Sequence, residues 1–354
     1  MTSKTRVLVV DDSALMRSLL AEIINAAPDL QVAGTARNAQ EAGTLIRALR
    51  PEVITLDVDM PGMDGIAFLE QLMRSDPMPV VMVSALTERD SEVALRALEL
   101  GAIDYVSKPK LDPLANIHAC ANEICEKIRI ARQARRPARP VAGAGQRLAG
   151  RSISLDVHLP ARVLQERLVL IGASTGGTEA LRALLTALPE KMPGILIVQH
   201  MPEMFTGSFA RRLDGLCALT VKEADDGEPV KPGTVYIAPG HSHLLVRRAA
   251  GGFRCELSRE SAVNRHRPSV DVLFHAGARE VGKHAVGVML TGMGKDGAAG
   301  MLEMRKAGAW NICQDQESCV VWGMPREATL NGAANEIAPL CEIPARVINS
   351  LRGT

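Results

Sequence analysis

The chain has 354 residues with 47% hydrophobic and 23% charged side chains, which suits an ordinary globular protein of two domains. Its net charge of +1 and aromatic content of 3% argue against a nucleic-acid-binding surface, which needs basic patches or stacking rings. The N-terminus lacks the pattern of a signal peptide and no apolar run is long enough for a transmembrane helix, so we expect no membrane insertion.

The first part of the chain alternates short apolar strands with helical patterns. Helical spacing is clearest at residues 14–25 and 39–49. Strands are predicted at residues 6–10, 31–35, 53–56, 80–83 and 103–106. Apolar strands that alternate with helices are typical of a parallel sheet covered on both faces. Five such units predict a doubly wound α/β, flavodoxin-like domain over residues 1–128.

Polar side chains follow the strands of this predicted sheet. They are Asp11 and Asp12 after the first strand, Asp57 after the third, Ser84 at the fourth and Lys108 at the fifth. The carboxyl ends of parallel strands share one edge, where ligands bind. Three carboxylates there suit Mg²⁺, and such a cation helps a carboxylate accept a phosphoryl group. Each residue alone is more simply a solvated strand end, but the full set in this order predicts a phosphorylation site.

The same segments resemble the receiver domain of two-component response regulators over residues 5–128. The matching motifs are Asp11-Asp12, the run at 56–65, Ser84-Ala85 and Lys108-Pro109. The resemblance implies that a histidine kinase is the phosphodonor and Asp57 the phosphoacceptor. The other implied roles are Mg²⁺ ligation by Asp11, Asp12, Asp57 and the carbonyl of Asp59, phosphoryl contacts by Ser84 and Lys108, and reorientation of Tyr105.

A composition change separates this part from the rest of the chain. No acidic residue occurs between Glu126 and Asp156, and the stretch is rich in Arg, Ala, Gly and Pro. Such a segment cannot form a core, so it predicts a flexible linker at 129–160 before a second domain at 161–354. Its arginines could contact an acidic partner, although a solvated linker is the simpler interpretation.

The second domain is again predicted as mainly parallel α/β. Strands are expected at 168–171, 194–199, 285–290 and 309–313, and helices at 269–281 and 296–307. Between residues 220 and 257, glycine and proline pairs separate short strands, which predicts a region of β-hairpins. Seven scattered cysteines without a C-x-x-C pair indicate reduced thiols in a cytoplasmic protein.

The first strand of this domain runs into Gly172-Ala173-Ser174-Thr175-Gly176, which matches the G-x-S-x-G pattern. Such a turn exposes a serine hydroxyl at a helix N-terminus, where unpaired amides stabilise an oxyanion. A glycine-rich turn of this kind more often binds phosphate or packs closely. The case for a nucleophile at Ser174 therefore needs a base and an acid.

Two further strands end in suitable groups. His200 follows the strand at 194–199, and Asp296 lies in a glycine-rich turn after the strand at 285–290. An imidazole can accept the hydroxyl proton, and a carboxylate can hold its tautomer. The chain order Ser174, His200, Asp296 differs from that of the α/β-hydrolases, so we do not expect that fold.

This order and its motifs resemble the CheB family of chemoreceptor methylesterases. The motifs lie at 172–177, 199–202, 237–241, 267–271 and 290–297. The resemblance implies hydrolysis of glutamate γ-methyl esters, and deamidation of glutamines, on chemoreceptors by a Ser174–His200–Asp296 triad without a cofactor. It also implies that the Met293 amide contributes to the oxyanion hole and that Thr175 supports His200. By hypothesis, the unphosphorylated receiver covers the Ser174 cleft and phosphorylation of Asp57 opens it.

Several alternatives remain open at this stage. His241 and His243 could bind a metal, although a position in a turn and hairpin is simpler. Arg265 and Arg267 could contact acidic receptor residues or form structural salt bridges. The C-terminal domain could be a phosphorylation-switched binding module or an esterase for small molecules. A DNA-binding regulator would need a helix-turn-helix, which the sequence does not contain.

Overall fold

The computed structural model describes residues 4–84, 88–108, 115–134 and 159–353. The chain divides into two compact units, Met1–Leu148 and Ala149–Thr354. Most of the predicted linker at 129–160 lies outside the described residues, but its first residues belong to a helix that continues to Gln133. No helix in the described ranges has the length and apolar character needed to cross a membrane.

The N-terminal unit forms, in its described part, a five-stranded parallel sheet in the order β2-β1-β3-β4-β5. The strands are β1 Thr5–Val10, β2 Leu30–Ala36, β3 Val53–Asp57, β4 Val80–Ser84 and β5 Asp104–Ser107. The helices are α1 Ala14–Ala26, α2 Ala39–Leu49, α3 Gly65–Ser75, α4 Glu88–Glu99 and α5 Ala115–Gln133. The strand order reverses at β1, so a crevice forms at the carboxyl ends of β1 and β3.

Local capping explains where the first three helices begin. The side chains of Ser13, Asn38 and Asp64 each accept a hydrogen bond from a backbone N–H three residues later. These bonds satisfy amides that have no partner inside the helix. The caps of α1 and α3 follow the acidic turns after β1 and β3, and so help to fix those turns.

The C-terminal unit contains a seven-stranded parallel sheet in the order β14-β13-β12-β6-β7-β9-β8 within the described residues. Its strands are β6 Leu168–Ala173, β7 Gly194–Gln199, β8 Thr220–Glu223, β9 Thr234–Ile237, β12 Ala285–Met289, β13 Trp310–Gln314 and β14 Glu336–Ala338. Its helices are α6 Ala161–Glu166, α7 Gly177–Thr186, α8 Glu203–Asp214, α9 Val270–Glu280, α10 Ala298–Lys306, α11 Met324–Leu330 and α12 Ile343–Arg352.

The predicted hairpin region is only partly hairpin. Strands β10 His243–Ala249 and β11 Gly252–Ser258 form an antiparallel pair, as expected. Strands β8 and β9 instead pair in parallel and extend the main sheet. The residues between Glu223 and Thr234 give the chain enough length to return to the same edge, so the two strands need not form a tight hairpin.

The central strands explain where the core lies. Strands β6, β7 and β12 are buried along their whole length, as a sheet covered on both faces requires. The chain adds β7, β9 and β8 on one side of β6, and β12, β13 and β14 on the other. This reversal places a ligand crevice at the carboxyl ends of β6, β7 and β12.

Candidate active site and phosphorylation site

The crevice of the C-terminal unit brings the three predicted catalytic side chains together. Ser174 follows β6 and His200 follows β7, while Asp296 lies in the loop after β12. The Oγ of Ser174 is 3.1 Å from Nδ1 of His200. The Nε2 of His200 is 2.8 Å from Oδ2 of Asp296. The hydroxyl, the imidazole and the carboxylate therefore form one continuous hydrogen-bonded chain.

The two contacts of His200 fix its neutral tautomer. An ionised Asp296 can only accept a hydrogen bond, so Nε2 of His200 carries the proton and donates it. The Nδ1 atom is then unprotonated and accepts from the Ser174 hydroxyl. The side chain of His200 is 8% exposed, and burial of this kind limits competition from water.

Asp296 is held by more donors than His200 alone. Its Oδ1 accepts from the Ser269 hydroxyl and the Asn264 amide, each at 2.7 Å. Its Oδ2 also accepts from the Val270 N–H at 2.7 Å, at the start of α9. Burial alone would raise the pKa of Asp296, but the hydrogen bonds and charge of His200, with Asn264 and Ser269, hold that pKa well below its ordinary value.

The position of Asp296 corrects one predicted boundary. The sequence predicted a helix from residue 296, whereas α10 begins at Ala298. Gly297 has a left-handed φ of 86°, which interrupts the helical backbone before Ala298. Asp296 is consequently a loop residue, and its carboxylate caps α9 from a different part of the chain.

Gln199 is a site residue that the sequence reasoning missed. Its Nε2 donates to the carbonyls of Ser174 and His200, at 3.0 and 3.1 Å. Its Oε1 lies so close to Gly177 that a Cβ there would be 2.1 Å away. The buried Gln199 side chain thus fastens the serine turn to the end of β7. The motif at 199–202 contained this residue, but nothing in the pattern showed which carbonyls its amide would reach.

The loop after β12 lies directly against the serine. A Cβ on Gly292 would be 2.8 Å from the Cβ of Ser174, so only glycine allows this approach. The Ser174 N–H donates to the Thr291 carbonyl at 3.0 Å. Met293 is the next residue of the loop, and its role in an oxyanion hole stays a prediction. The Thr175 carbonyl accepts from the Thr291 hydroxyl at 3.0 Å, while support of His200 by Thr175 stays a prediction as well.

His241 and His243 are held by local contacts. The Nδ1 of His241 lies 2.7 Å from the Ser242 hydroxyl. Buried His243 bridges the Ser261 carbonyl and the Ser269 N–H, both at 3.1 Å. These contacts fit the simpler interpretation, because His241 lies in a turn and His243 begins hairpin strand β10. His243 also orients the residue that donates to Asp296.

Arg265 and Arg267 form no ion pair with any described residue. Arg267 instead donates to the carbonyls of Arg259 and Glu260, each at 3.3 Å. The predicted alternative of a structural salt bridge is therefore not observed.

The crevice of the N-terminal unit gathers the predicted acidic cluster. Oxygen atoms of Asp11, Asp12 and Asp57 lie within 4.8 Å of one another. The Nζ of Lys108 is 2.7 Å from Asp57 and 3.3 Å from Asp11. Oδ1 of Asp57 is buried without a hydrogen-bond partner among the described residues. Three carboxylates with an unpaired oxygen fit a hard divalent cation such as Mg²⁺.

The surroundings of Asp57 disfavour its ionised form. Burial and the neighbouring Asp11 raise the pKa of Asp57 to about 6, although Lys108 opposes this shift. Gly65 packs against the Asp57 carbonyl so closely that a Cβ would be 1.9 Å away. The glycine after Asp64 is thus required by the turn that carries the carboxylate.

The remaining predicted receiver residues lie around this cluster. Buried Ser84 ends β4, beside the strand that carries Asp57. Tyr105 is buried on β5, and burial raises its pKa well above the ordinary value. Asp59 is exposed in the loop after β3, and ligation by its carbonyl stays a prediction. The sequence reasoning missed Arg17, whose guanidinium donates to the carbonyls of Asp11 and Asp12 at 2.8 and 2.9 Å.

Comparison with known proteins assigns each of the two units to a family. The CheB methylesterase family model matches residues 169–347, and the response regulator receiver domain model matches residues 7–118. A protein-glutamate methylesterase/protein-glutamine glutaminase of Nitrosomonas europaea is 56% identical over 99% of this chain and 97% of that protein. The chain belongs to the CheB methylesterase family.

Further relatives support the same assignment. A protein of the same description from Thiobacillus denitrificans is 56% identical over 98% of this chain and 96% of its own length. The crystal structure of the Thermotoga maritima CheB methylesterase catalytic domain matches 52% of this chain and 97% of that domain, with 42% identity and a TM-score of 0.51. The predicted fold class, a receiver joined to a methylesterase domain, is confirmed. So is the prediction that the chain is a hydrolase of this family.

Proposed function

We propose that this chain is a phosphorylation-activated hydrolase that removes methyl groups from glutamate γ-methyl esters of chemoreceptors and also deamidates receptor glutamines. The observation that carries the proposal is the hydrogen-bonded chain from Ser174 through His200 to Asp296. The descriptions of the relatives, which name both a glutamate methylesterase and a glutamine glutaminase, support the substrate class.

Acylation begins at the serine. Ser174 Oγ attacks the γ-carbonyl carbon of the methyl ester while its proton passes to Nδ1 of His200. The carbonyl π electrons move to the oxygen, and the Met293 N–H contributes a hydrogen bond to that oxyanion. The tetrahedral intermediate then expels methanol, which takes its proton from Nδ1 of His200. The product is an ester between Ser174 and the receptor glutamyl group.

Deacylation uses the same groups in reverse order. His200 removes a proton from water, which attacks the glutamyl ester carbonyl. Ser174 leaves, recovers its proton from His200, and the receptor carries a free γ-carboxylate. A glutamine side chain follows the same path with ammonia as the first leaving group. No step requires a metal or an organic cofactor.

Asp296 acts through His200. It accepts the Nε2–H bond, which keeps Nδ1 free to receive the serine proton, and its charge stabilises the imidazolium that forms. Because its donors hold the pKa of Asp296 low, the carboxylate stays ionised when His200 becomes charged. Burial strengthens the interaction by excluding water from it.

The N-terminal unit supplies the control. Asp57 accepts the phosphoryl group from a histidine kinase. Asp11, Asp12 and Asp57 would hold Mg²⁺ there, and a bound cation would offset negative charge on the transferred group. Lys108 and Ser84 then contact the phosphoryl oxygens, and Tyr105 reorients. Phosphorylation shifts the population of conformations toward the active esterase. The chain works in the cytoplasm.

Methanol release from a methylated chemoreceptor tests the proposal directly. Ser174→Ala should abolish release while phosphorylation of Asp57 continues. Asp57→Asn should keep basal release but lose the stimulation that a phosphodonor gives to the unaltered chain. Release that persists in Ser174→Ala would refute the nucleophile. Equal hydrolysis of generic small esters and receptor esters would instead favour a small-molecule esterase.

A further inference from the structure

A tight turn lies beside the catalytic histidine. Val263 and His266 exchange backbone hydrogen bonds of 3.1 and 2.9 Å across it. The two central residues, Asn264 and Arg265, have φ values of 53° and 68°. Positive φ at both central positions is the pattern of a type I′ turn. Asparagine accepts this region readily but arginine does not, so surrounding contacts must hold the backbone there.

Asn264 connects this turn to the acid of the triad. Its Nδ2 donates to Oδ1 of Asp296 and to Oδ2 of Asp271, both at 2.7 Å. Oδ1 is the oxygen of Asp296 that His200 does not use. Asp271 in turn accepts the Gly300 N–H at 2.7 Å. The amide of Asn264 therefore fixes the rotation of the Asp296 carboxylate from the side opposite His200.

His266 connects the same turn to the base. Its ring is stacked on the ring of His200, with centroids 3.7 Å apart and planes inclined by 9°. The hydrogen bonds to Ser174 and Asp296 fix His200 within its ring plane, but they restrain tilting out of that plane only weakly. A parallel ring in van der Waals contact supplies this missing restraint and excludes water from one face.

We propose that the turn at residues 263–266 is a positioning element, in which His266 fixes the plane of the His200 ring and Asn264 fixes the carboxylate of Asp296. The inference rests on the proposed function, because it takes His200 as the base. Neither residue needs to touch the substrate. Both act on the step in which His200 receives and returns a proton, so their loss should lower kcat and leave KM nearly unchanged.

The experiment compares matched substitutions in the full-length chain, assayed by methanol release from a methylated chemoreceptor. His266→Ala removes the stacked ring and should lower kcat about tenfold, whereas His266→Phe keeps an aromatic face and should stay within about threefold of the unaltered chain. Asn264→Gly keeps the left-handed backbone but removes the amide, and should lower kcat about 30-fold. His284→Ala, before β12 and therefore at the opposite edge of the sheet, is the control and should change nothing.

A spectroscopic measurement separates positioning from general loss of structure. The proton between His200 Nε2 and Asp296 should give a low-field NMR resonance in the unaltered chain. That resonance should shift or broaden in His266→Ala and Asn264→Gly, and return close to its original position in His266→Phe. Hydrogen exchange in α9 reports whether each variant remains folded.

The outcomes distinguish this inference from the proposed function. If Ser174→Ala still releases methanol, the proposed function fails. If Ser174→Ala is inactive but His266→Ala and Asn264→Gly match the unaltered chain, the positioning role alone fails. Equal losses in His266→Phe and His266→Ala would also overturn it, because the aromatic face would then not matter. A rise in KM at constant kcat would overturn it too.

Discussion

Asp57 and Asp296 are both buried carboxylates at the carboxyl edge of a parallel sheet, yet their surroundings shift their pKa values in opposite directions. Asp57 is the last residue of β3 and Asp296 lies in the loop after β12, and they are 1% and 2% exposed. Burial favours the neutral acid at both positions, but the pKa of Asp57 is raised to about 6 while that of Asp296 is lowered. Burial therefore does not decide the direction of the shift.

The difference lies in the donors around each carboxylate. Asp296 receives hydrogen bonds from His200, Asn264, Ser269 and the start of α9. Asp57 has Lys108 on one oxygen, another acid nearby, and an oxygen without a partner in the described structure. Both oxygens of Asp296 therefore have hydrogen-bond donors, which suits proton transfer at the carboxyl edge of the C-terminal sheet. Among the described residues, the acidic cluster of Asp11, Asp12 and Asp57 has only Lys108 to balance its negative charge, which suits binding of a cation and a phosphoryl group.

Removal of the negative charge of Asp296 should have the largest effect on catalysis. Asp296→Asn should lower kcat for methanol release by about 10⁴-fold, because an amide no longer selects the His200 tautomer with Nδ1 free. Phosphorylation of Asp57 in the same variant should be unchanged, which serves as the internal control. A loss of less than tenfold would contradict the role given to Asp296.

The same substitution at both edges should shift stability in opposite directions. The pKa of Asp57, about 6, lies above the unfolded value of about 3.9, so stability falls as pH rises through this window. In metal-free buffer at pH 8, Asp57→Asn should stabilise its unit by about 1–2 kcal/mol, a gain that disappears near pH 4. The pKa of Asp296 is lower in the folded state than in the unfolded state. Its contribution to stability is therefore present above about pH 3.9 and is lost on acidification.

Asp296→Asn should accordingly destabilise its unit at pH 8 by about 1–3 kcal/mol. Hydrogen exchange in β3 and α9 of the full-length chain measures the two units separately. Excess Mg²⁺ is the control, since it should stabilise the unaltered receiver and remove the advantage of Asp57→Asn. Shifts of the same sign at both positions would show that burial alone dominates.

Sequence patterns were sufficient to predict the features that depend on where strands end. Alternating strands and helices predicted the five-stranded N-terminal sheet and the four strands β6, β7, β12 and β13 of the C-terminal sheet. Parallel strands necessarily carried Ser174 and His200 to one edge. The boundaries of α2 and β7 agree with the prediction because their apolar spacing is uninterrupted. The acidic cluster was predictable for the same reason, since Asp11 follows β1 and Asp57 ends β3, and these strands are neighbours in the sheet.

Contacts between distant segments were not predictable from these patterns. Asn264 and Asp296 are separated by 32 positions, and only the folded chain brings the amide to the carboxylate. Strands β8 and β9 carried turn signals that suggested a hairpin, but edge pairing with the main sheet prevailed. The helix predicted from residue 296 begins at Ala298, after the left-handed backbone of Gly297. The donors to the Asp296 carboxylate come from residues 26 and 27 positions away, which the local pattern does not show.

A substitution of Gln199 should have a smaller effect and tests how firmly the serine turn is held. Gln199→Met keeps the size of the side chain but removes the donor shared by the Ser174 and His200 carbonyls. We expect kcat to fall about tenfold, because two half-buried carbonyls lose a donor and the serine turn gains freedom. The same substitution at an exposed position of α3, Gln71→Met, is the control and should leave kcat unchanged. Unchanged kcat in Gln199→Met would show that the turn holds itself.

Arg17 is the counterpart of Gln199 at the receiver edge and should have the smallest effect. One guanidinium nitrogen donates to the carbonyls of Asp11 and Asp12 and so steadies the loop that carries two of the acids. Because this contact is partly exposed to solvent, Arg17→Met should weaken Mg²⁺ binding only about threefold, as measured by calorimetry on the full-length chain. Arg17→Lys can place an ammonium near the same carbonyls and should restore affinity. A tenfold loss of Mg²⁺ affinity would mean that the acidic cluster depends on a firmly held backbone as much as the Ser174 turn does.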